Sequence, residues 1–400
     1  MNTKNINVKT FTLSLLTAAI LSAPAAFAAD PAHGKGITDA LADSKVNLSF
    51  RARYEGVDED NARDNANALT VKSRLTIKTG NYNNLSLGLE VDHVSALADN
   101  YWDKVGADNN YSVVADPTGT DVNQGYIKYT RNDFSAIAGR QRILHNNQRF
   151  VGGVGWRQNE QTYDGIRAQY NTGAFSVDYS YIHNINDIFA KNVSGDFHLA
   201  NLGYKINKAH KVAAFAYILD FKTGAANSSS TYGALYNGKF GPVLVNASAA
   251  SQSDNGKNPN SYTATYLNAE VGYKFSTVTV LGGYELLGSD NNVGFNTPLA
   301  TKHKFQGWAD KFLGTPKEGM EDIYLTVKGA VSGVKLAATY HDFSSDVGGI
   351  DFGNELDLVA NYKVNKNYGV LVKFSNYSQG DVYGKLTDTN KLWLQATAKF

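Results

Sequence analysis

Eighteen segments of about ten residues, each alternating apolar with polar side chains, predict an all-β chain folded as a closed antiparallel transmembrane β-barrel; sixteen strands is the fallback count if one hairpin is misread. Two further observations point the same way. The connections alternate between short and long along the chain, and the aromatic residues collect beside the short ones.

In order, the alternating segments fall near 45–55, 68–79, 84–94, 121–130, 134–142, 160–170, 174–184, 196–206 and 210–221, then 230–240, 242–251, 263–275, 277–287, 321–330, 333–343, 354–364, 367–377 and 390–400. Roughly ten residues is what a tilted strand needs to cross the hydrocarbon, and an even number leaves both termini on one side. The short connections, among them Arg131-Asn132-Asp133, Asn171-Thr172-Gly173, Asn207-Lys208-Ala209, Gly241-Pro242 and Asn365-Lys366-Asn367, suit tight turns and are expected on the periplasmic side. The long ones, including 95–120, 143–159, 251–262 and 288–320, are expected outside. Tyr129, Phe134, Tyr170, Phe175, Tyr204, Phe240, Tyr273, Phe275, Tyr362, Tyr368 and Phe400 all lie by the short turns or at the C-terminus, where they would form an interfacial girdle.

The final segment, Lys391 to Phe400, alternates without a fault and would leave an unpaired edge unless the first strand closes onto it. Its terminal Phe400 resembles the C-terminal aromatic signature of bacterial outer-membrane barrel proteins. An ordinary amphipathic edge strand of a soluble β protein is the alternative at this point.

At the other end, Lys4 and Lys9, the apolar run Phe11 to Ala23 and the Ala26-Phe27-Ala28 site read as a secretory signal peptide over 1–28, leaving 29–400 as a single barrel domain. The signal's apolar core of about 13 residues is too short to span a bilayer. Removing Lys4 and Lys9 leaves 36 basic against 37 acidic side chains, which speaks for neither nucleic acid nor an anionic membrane surface as partner. Cysteine is absent, so disulfides, thiolate nucleophiles and Cys-bound metals do not enter, and no metal or cofactor is expected. The longest apolar run after the signal, Val212 to Leu219, is far below the length of a transmembrane helix.

With the apolar parity against lipid, the other parity lines a hydrated pore. It carries Asn47, Ser49, Arg51 and Arg53 on the first strand, Lys72, Arg74 and Lys78 on the second, and Glu90 and Asp92 on the third. Lys128, Arg167, Asp178, Glu270, Glu285, Glu355, Asp357 and Lys373 follow around the wall. Arg140 and Arg142 share the parity of Phe134, Ala136 and Ala138. A guanidinium at mid-bilayer costs roughly 2–4 kcal/mol, so both are assigned to the lumen by way of a bulge or a girdle position for Phe134. All ten arginines lie between Arg51 and Arg167 and should gather on one arc of the wall. Because guanidinium grips carboxylates and phosphates bidentately, that arc reads either as a track for anionic or hydroxyl-rich solutes, facing Glu270 and Glu285, or as charges that pair internally.

Gly139 to Tyr170 and Lys302 to Leu325, about 56 residues together, resemble the alginate-export family of outer-membrane barrels. The resemblance implies an eighteen-stranded, monomeric barrel with an arginine-bearing lumen. It carries onto Arg140, Gln141, Arg149, Trp156, Arg157 and Arg167, with Gly152, Gly153 and Gly155 permitting a compact loop folded into the pore as a constriction around Arg149, Trp156 and Arg157. Implied partners are outer-membrane lipid, small hydrophilic solutes and, through the C-terminal strand, the barrel-assembly machinery. The family's exporters gate their pores with long segments on both faces, whereas every periplasmic turn expected here is short; this favours passive uptake, with polysaccharide export the alternative. A barrel-embedded enzyme is the rival from another class, but G-x-S-x-G and H-E-x-x-H are absent, and His93, His183, His198 and His341 read as wall residues, His145 and His303 as loop residues.

Overall fold

The computed structural model describes residues 36–106, 109–384 and 386–400; the expected signal peptide lies outside them. A six-residue helix that the periodicity did not announce, α1 (Ile37–Ala42), precedes the barrel and accepts the Gly80 amide on the Ala40 carbonyl at 2.8 Å, anchoring the first periplasmic turn.

The strands are β1 (Lys45–Glu59), β2 (Ala66–Lys78), β3 (Leu85–Asn100), β4 (Gly119–Arg131), β5 (Phe134–Gln141), β6 (Thr162–Thr172), β7 (Phe175–Asn186), β8 (Asn192–Lys205), β9 (His210–Phe221) and β10 (Ser229–Phe240). Then come β11 (Val243–Asp254), β12 (Thr263–Lys274), β13 (Val278–Leu287), the loop hairpin β14 (Ser289–Asp290) and β15 (Val293–Gly294), β16 (Met320–Val331), β17 (Val334–Ser344), β18 (Asp351–Lys363), β19 (Tyr368–Ser378) and β20 (Thr389–Lys399). Eighteen of them form one antiparallel sheet in chain order. It closes where β1 pairs with β20 from Ser49↔Lys399 to Glu59↔Thr389, and Phe400 and Leu48 exchange backbone bonds of 2.8 and 3.0 Å. Closure removes the edge that the C-terminal strand would otherwise expose.

Every periplasmic turn is short, and the periplasmic aromatics pair: Tyr129 with Phe134, Phe175 with Tyr204 at 4.6 Å, Tyr273 with Phe275 at 4.7 Å, and Tyr368 edge-on to Phe400. On the extracellular side several strands outrun their expected ends: β1 reaches Glu59, β3 Asn100, and β8 begins at Asn192. Above the bilayer there is no lipid to demand an apolar outer face, so hydrogen-bonded pairing continues after the alternation has faded.

The lumen is not an open tube. Side chains do not bridge it, but the 142–161 and 288–319 loops fold into it. Ile143 and Val151 of the first and Phe295, Leu299, Ala309 and Phe312 of the second pack with inward-facing Phe197, Leu199, Phe215, Tyr217, Tyr266 and Phe343 in one apolar cluster. Around β7 to β13 the upper inner wall is therefore apolar, contrary to the expectation that the inner parity is polar throughout. The run Val212 to Leu219 marks it: with Phe215, Tyr217 and Leu219 buried inside and Val212 open to lipid, β9 is apolar on both faces, as strands covered on both sides are.

Candidate functional site

The inner wall of β1 to β7 is an ion-pair lattice built from cross-strand neighbours. Arg74 stands opposite Asp92 in the ladder and donates to both its carboxylate oxygens at 2.6 Å, while lying 3.4 Å from Glu90 and 3.0 Å from Glu160. Arg142 reaches Glu90 at 2.7 Å and also bonds Glu160. Lys72 sits 3.8 Å from Glu160 and 3.9 Å from Asp92. Arg53 donates to Gln395 at 2.7 Å and is 3.8 Å from Asp116, and Arg167 grips Asp178. Burial would raise the Glu160 carboxyl, but Arg74, Arg142 and Lys72 around it bring it down to about 2.

Most of the arginine arc is thus engaged by carboxylates rather than presented to solutes, as the internal-pairing reading expected. Arg51 differs. Among the described residues no carboxylate lies within 4 Å of it; it donates to Gln158 Oε1 at 2.8 Å, to the Gly155 carbonyl at 3.0 Å and to the Arg157 carbonyl. Glu285 is met by Arg149, but Glu270 accepts instead from Tyr324 and Asn246, each at 2.9 Å, and faces no arginine. Lys128 is half-buried, without an ion pair among the described residues. Asp357 is buried and accepts the Trp308 amide at 3.1 Å.

Arg140 is a correction. It stands opposite Asp164, which shares a face of β6 with Ile166, 59% exposed, while Tyr163 and Gly165 on the other parity are buried. The side chain therefore lies on the outer wall, where it holds Asp164 at 2.8 and 3.0 Å and reaches the Val122 carbonyl at 3.1 Å. Close to the extracellular rim a lipid-facing charge costs far less than at mid-depth, and here it is neutralised. Arg142, past the strand end, turns inward without any slip of register.

The 142–161 loop is pinned inside the lumen by ion pairs. Arg157 is buried and ties together three separate pieces: Glu55 of β1 at 2.9 Å, Asp116 of the 101–118 loop at 3.7 Å and Asp310 of the 288–319 loop at 3.2 Å. Burial disfavours its charge, but Glu55, Asp116 and Asp310 outweigh that and hold the guanidinium protonated above its ordinary range. Arg149 anchors the same loop to Glu285 at 2.7 Å and to Gln306 at 3.1 Å. The two inward loops also bond directly, from the Gly152 amide to the Leu299 carbonyl at 2.8 Å and from the Thr301 amide to the Gln148 carbonyl at 3.1 Å.

Trp156 carries the Arg53 guanidinium 3.9 Å from its ring centroid and stacks on His303 at 4.8 Å with a 7° tilt. Next to it, Lys373 Nζ lies 4.2 Å from the Trp156 ring centroid, 3.6 Å from that of Trp308 and 5.1 Å from that of Trp393. Three of the chain's four tryptophans surround this one lysine. Lys373 Nζ is 2.7 Å from His303 Nε2, and His303 Nδ1 is 2.7 Å from Asp310. Burial lowers the imidazole to about 3, so it is neutral: Nδ1–H donates to Asp310 and Nε2 accepts from Lys373. His303 was read from the sequence as a loop residue; nothing in its neighbourhood along the chain shows that it is buried between two walls.

Above this layer opens an extracellular cavity of about 1090 Å³, bounded by the long loops and floored by Arg157, His303, Asp310 and Lys391. Among the described residues, seven Lys and Arg side chains line it against three carboxylates. His341 points Nδ1 at Asp322 at 2.9 Å, with its Nε2 3.9 Å from Asp357, and the buried His145 of the inward 142–161 loop meets the Tyr217 hydroxyl at 3.2 Å.

Comparison with known proteins agrees with this architecture. The chain is similar in fold to Pseudomonas aeruginosa OpdK, solved with vanillate, at a TM-score of 0.72 and 12% identity over 90% of this chain and 99% of that one. It is also similar to P. aeruginosa OccK8 (OprE), at 0.70 and 15% over 90% and 98%. Acinetobacter baumannii OccAB4 matches at 0.69 and 12%, again over 90% and 98%. No curated protein matches the sequence. The alginate export model matches residues 43–279, more than half of the chain, and this protein therefore belongs to the alginate export family.

Proposed function

We propose that the protein is an outer-membrane channel of a Gram-negative bacterium, exported by its cleaved signal peptide and assembled through its C-terminal strand, that lets small hydrophilic and preferentially anionic solutes pass passively. The observation that carries this reading is the closed eighteen-stranded wall, apolar towards lipid and carrying a lattice of charges within, into which two loops fold and are tied to it by Arg157. Anion preference follows from what is left unpaired: Arg51 of the inner wall and the surplus of cations around the mouth.

Reconstitution into a planar bilayer tests it. Discrete conductance steps with a reversal potential on the anion side in a salt gradient are expected; a protein that inserts but passes no current sinks the proposal. Family membership favours a second reading, passage of an acidic polysaccharide. The short periplasmic turns and the interior occupied by bonded loops weigh against it, because a polymer needs a continuous groove. An acidic polysaccharide that blocks the current from the periplasmic side at micromolar concentration would favour this second reading.

A further inference from the structure

The extracellular cavity has two properties that together select a ligand. The first is charge. Its three carboxylates are already engaged: Asp310 by Arg157, His303 and Lys391, Glu59 by Lys311 at 2.6 Å, and Asp187 by the amides of Phe189 and Lys191 at 2.8 and 2.9 Å. By contrast Lys302, Lys191, Arg63 and Lys104 have no carboxylate within 4 Å among the described residues. Lys302 is set deepest of these, in the 302–304 turn beside buried Leu299 and Ala300. Its backbone is held rigidly, since Thr301 bonds Gln148 and Val154 of the facing loop. Burial, and then the nearby Arg149, bring its ammonium down to about 8, the mark of a cation that lacks a counterion.

The second property is the wall between these cations. Ile185, Ile188, Val193, Phe221, Leu299 and Leu313 line the same space. An aqueous pore mouth has no need of so much aliphatic surface, and an alkyl chain gains free energy by moving onto it from water. A sugar or an inorganic anion would use only one of the two features; an alkyl chain ending in a carboxylate uses both.

We propose that this cavity is a capture site for aliphatic monocarboxylates, the carboxylate on Lys302 and the alkyl chain along the accessible Ile188, Val193 and Leu313 side of the wall. The inference rests on the channel reading above and names the solute class that the mouth concentrates. At a cavity of about 1090 Å³ a chain of six to eight carbons fits with room for water.

The test uses the full mature chain in nanodiscs and in planar bilayers, with sodium octanoate, sodium acetate and octylamine as probes. Octanoate should bind by calorimetry with millimolar or tighter affinity and reduce single-channel current from the extracellular side, whereas acetate and octylamine should do neither. Lys302→Gln should weaken octanoate binding about tenfold and Lys302→Arg should restore it, since a charge-assisted bond of that kind is worth about one decade. Leu313→Ser, at an exposed position of the same wall, should also weaken octanoate, with no effect on chloride conductance. Equal affinity for octanoate and acetate, or octanoate binding unchanged in Lys302→Gln nanodiscs set against wild type in the same lipid, overturns the capture site while leaving the channel intact. Normal octanoate binding by a protein that conducts nothing would instead overturn the channel reading and keep the site.

Discussion

Lys373 Nζ and His303 Nε2 meet at 2.7 Å in a pocket walled by Trp156, Trp308 and Trp393. The pair joins β19 to the 288–319 loop, and the indoles add the 142–161 loop and β20. One buried lysine therefore touches both inward loops and the barrel wall.

Replacing it should release them. Lys373→Met keeps the volume but removes the nitrogen that three indoles and an imidazole surround. Because three of the four tryptophans of the chain sit here, intrinsic fluorescence reads the pocket directly. A red-shifted emission maximum and a larger, noisier single-channel current are expected; unchanged emission would show that the lysine is not what orders the loops.

Gly307 has φ +76°, and a Cβ there would come within 2.3 Å of a Glu355 carboxylate oxygen. That carboxylate also accepts the Trp308 and Ala309 amides, so the loop apex is seated on it. Gly307→Ala should displace the apex and cost about 1–3 kcal/mol. It should appear as a lower heat-modifiability midpoint on gels and a raised conductance. Gly314→Ala, in the same loop with open space at its Cβ, should leave both unchanged.

Arg157→Ala leaves Glu55 and Asp116 buried without their main cation, a loss of about 3–5 kcal/mol. The mutant should melt earlier and conduct more, and it should lose part of its anion preference as two carboxylates become exposed to the pathway. Arg157→Lys keeps the charge but cannot reach three acids at once, so it should restore selectivity ahead of stability.

Glu160 sets an acid limit. Its carboxyl stands at about 2 in the folded state against an ordinary value near 4.5, so its ion pairs contribute fully above about pH 4.5 and are lost as the pH falls towards 2. Thermal midpoints should drop over that window, and more steeply in wild type than in Glu160→Gln, which has already lost the charge. Parallel melting curves of the two proteins between pH 5 and pH 3 would remove Glu160 from the account.

Lys302 sets the opposite limit at the mouth. Its ammonium, at about 8, is charged below that pH and neutral above it, so anion preference should fall between pH 7 and pH 9 in wild type and stay flat in Lys302→Gln. Reversal potentials measured across that range would decide it.

Strand number, closure, the periplasmic girdle and the side on which the loops lie were all legible in the amino-acid order, because a bilayer imposes a period of two and a fixed length on whatever crosses it. The uncertain places were those where lipid stops acting. Strands overran their expected ends above the membrane, and Arg140, near the rim, took the outer face because Asp164 opposite it made that position tolerable. The local signs that something packs inside were the apolar run of β9 and the Gly152-Gly153 and Gly155 stretch of the 142–161 loop.

Which charges would pair, and what would fill the lumen, depended on contacts between residues far apart in the chain. Glu55 and Arg157 are 102 positions apart, and Lys373 and His303 are 70. The order of residues determined a wall, since alternation is a property of neighbours. Only folding the loops back into that wall decided which arginines are engaged, what fills the lumen and which cations remain open to a solute, because burial and ion pairing are settled by what arrives opposite a side chain in space.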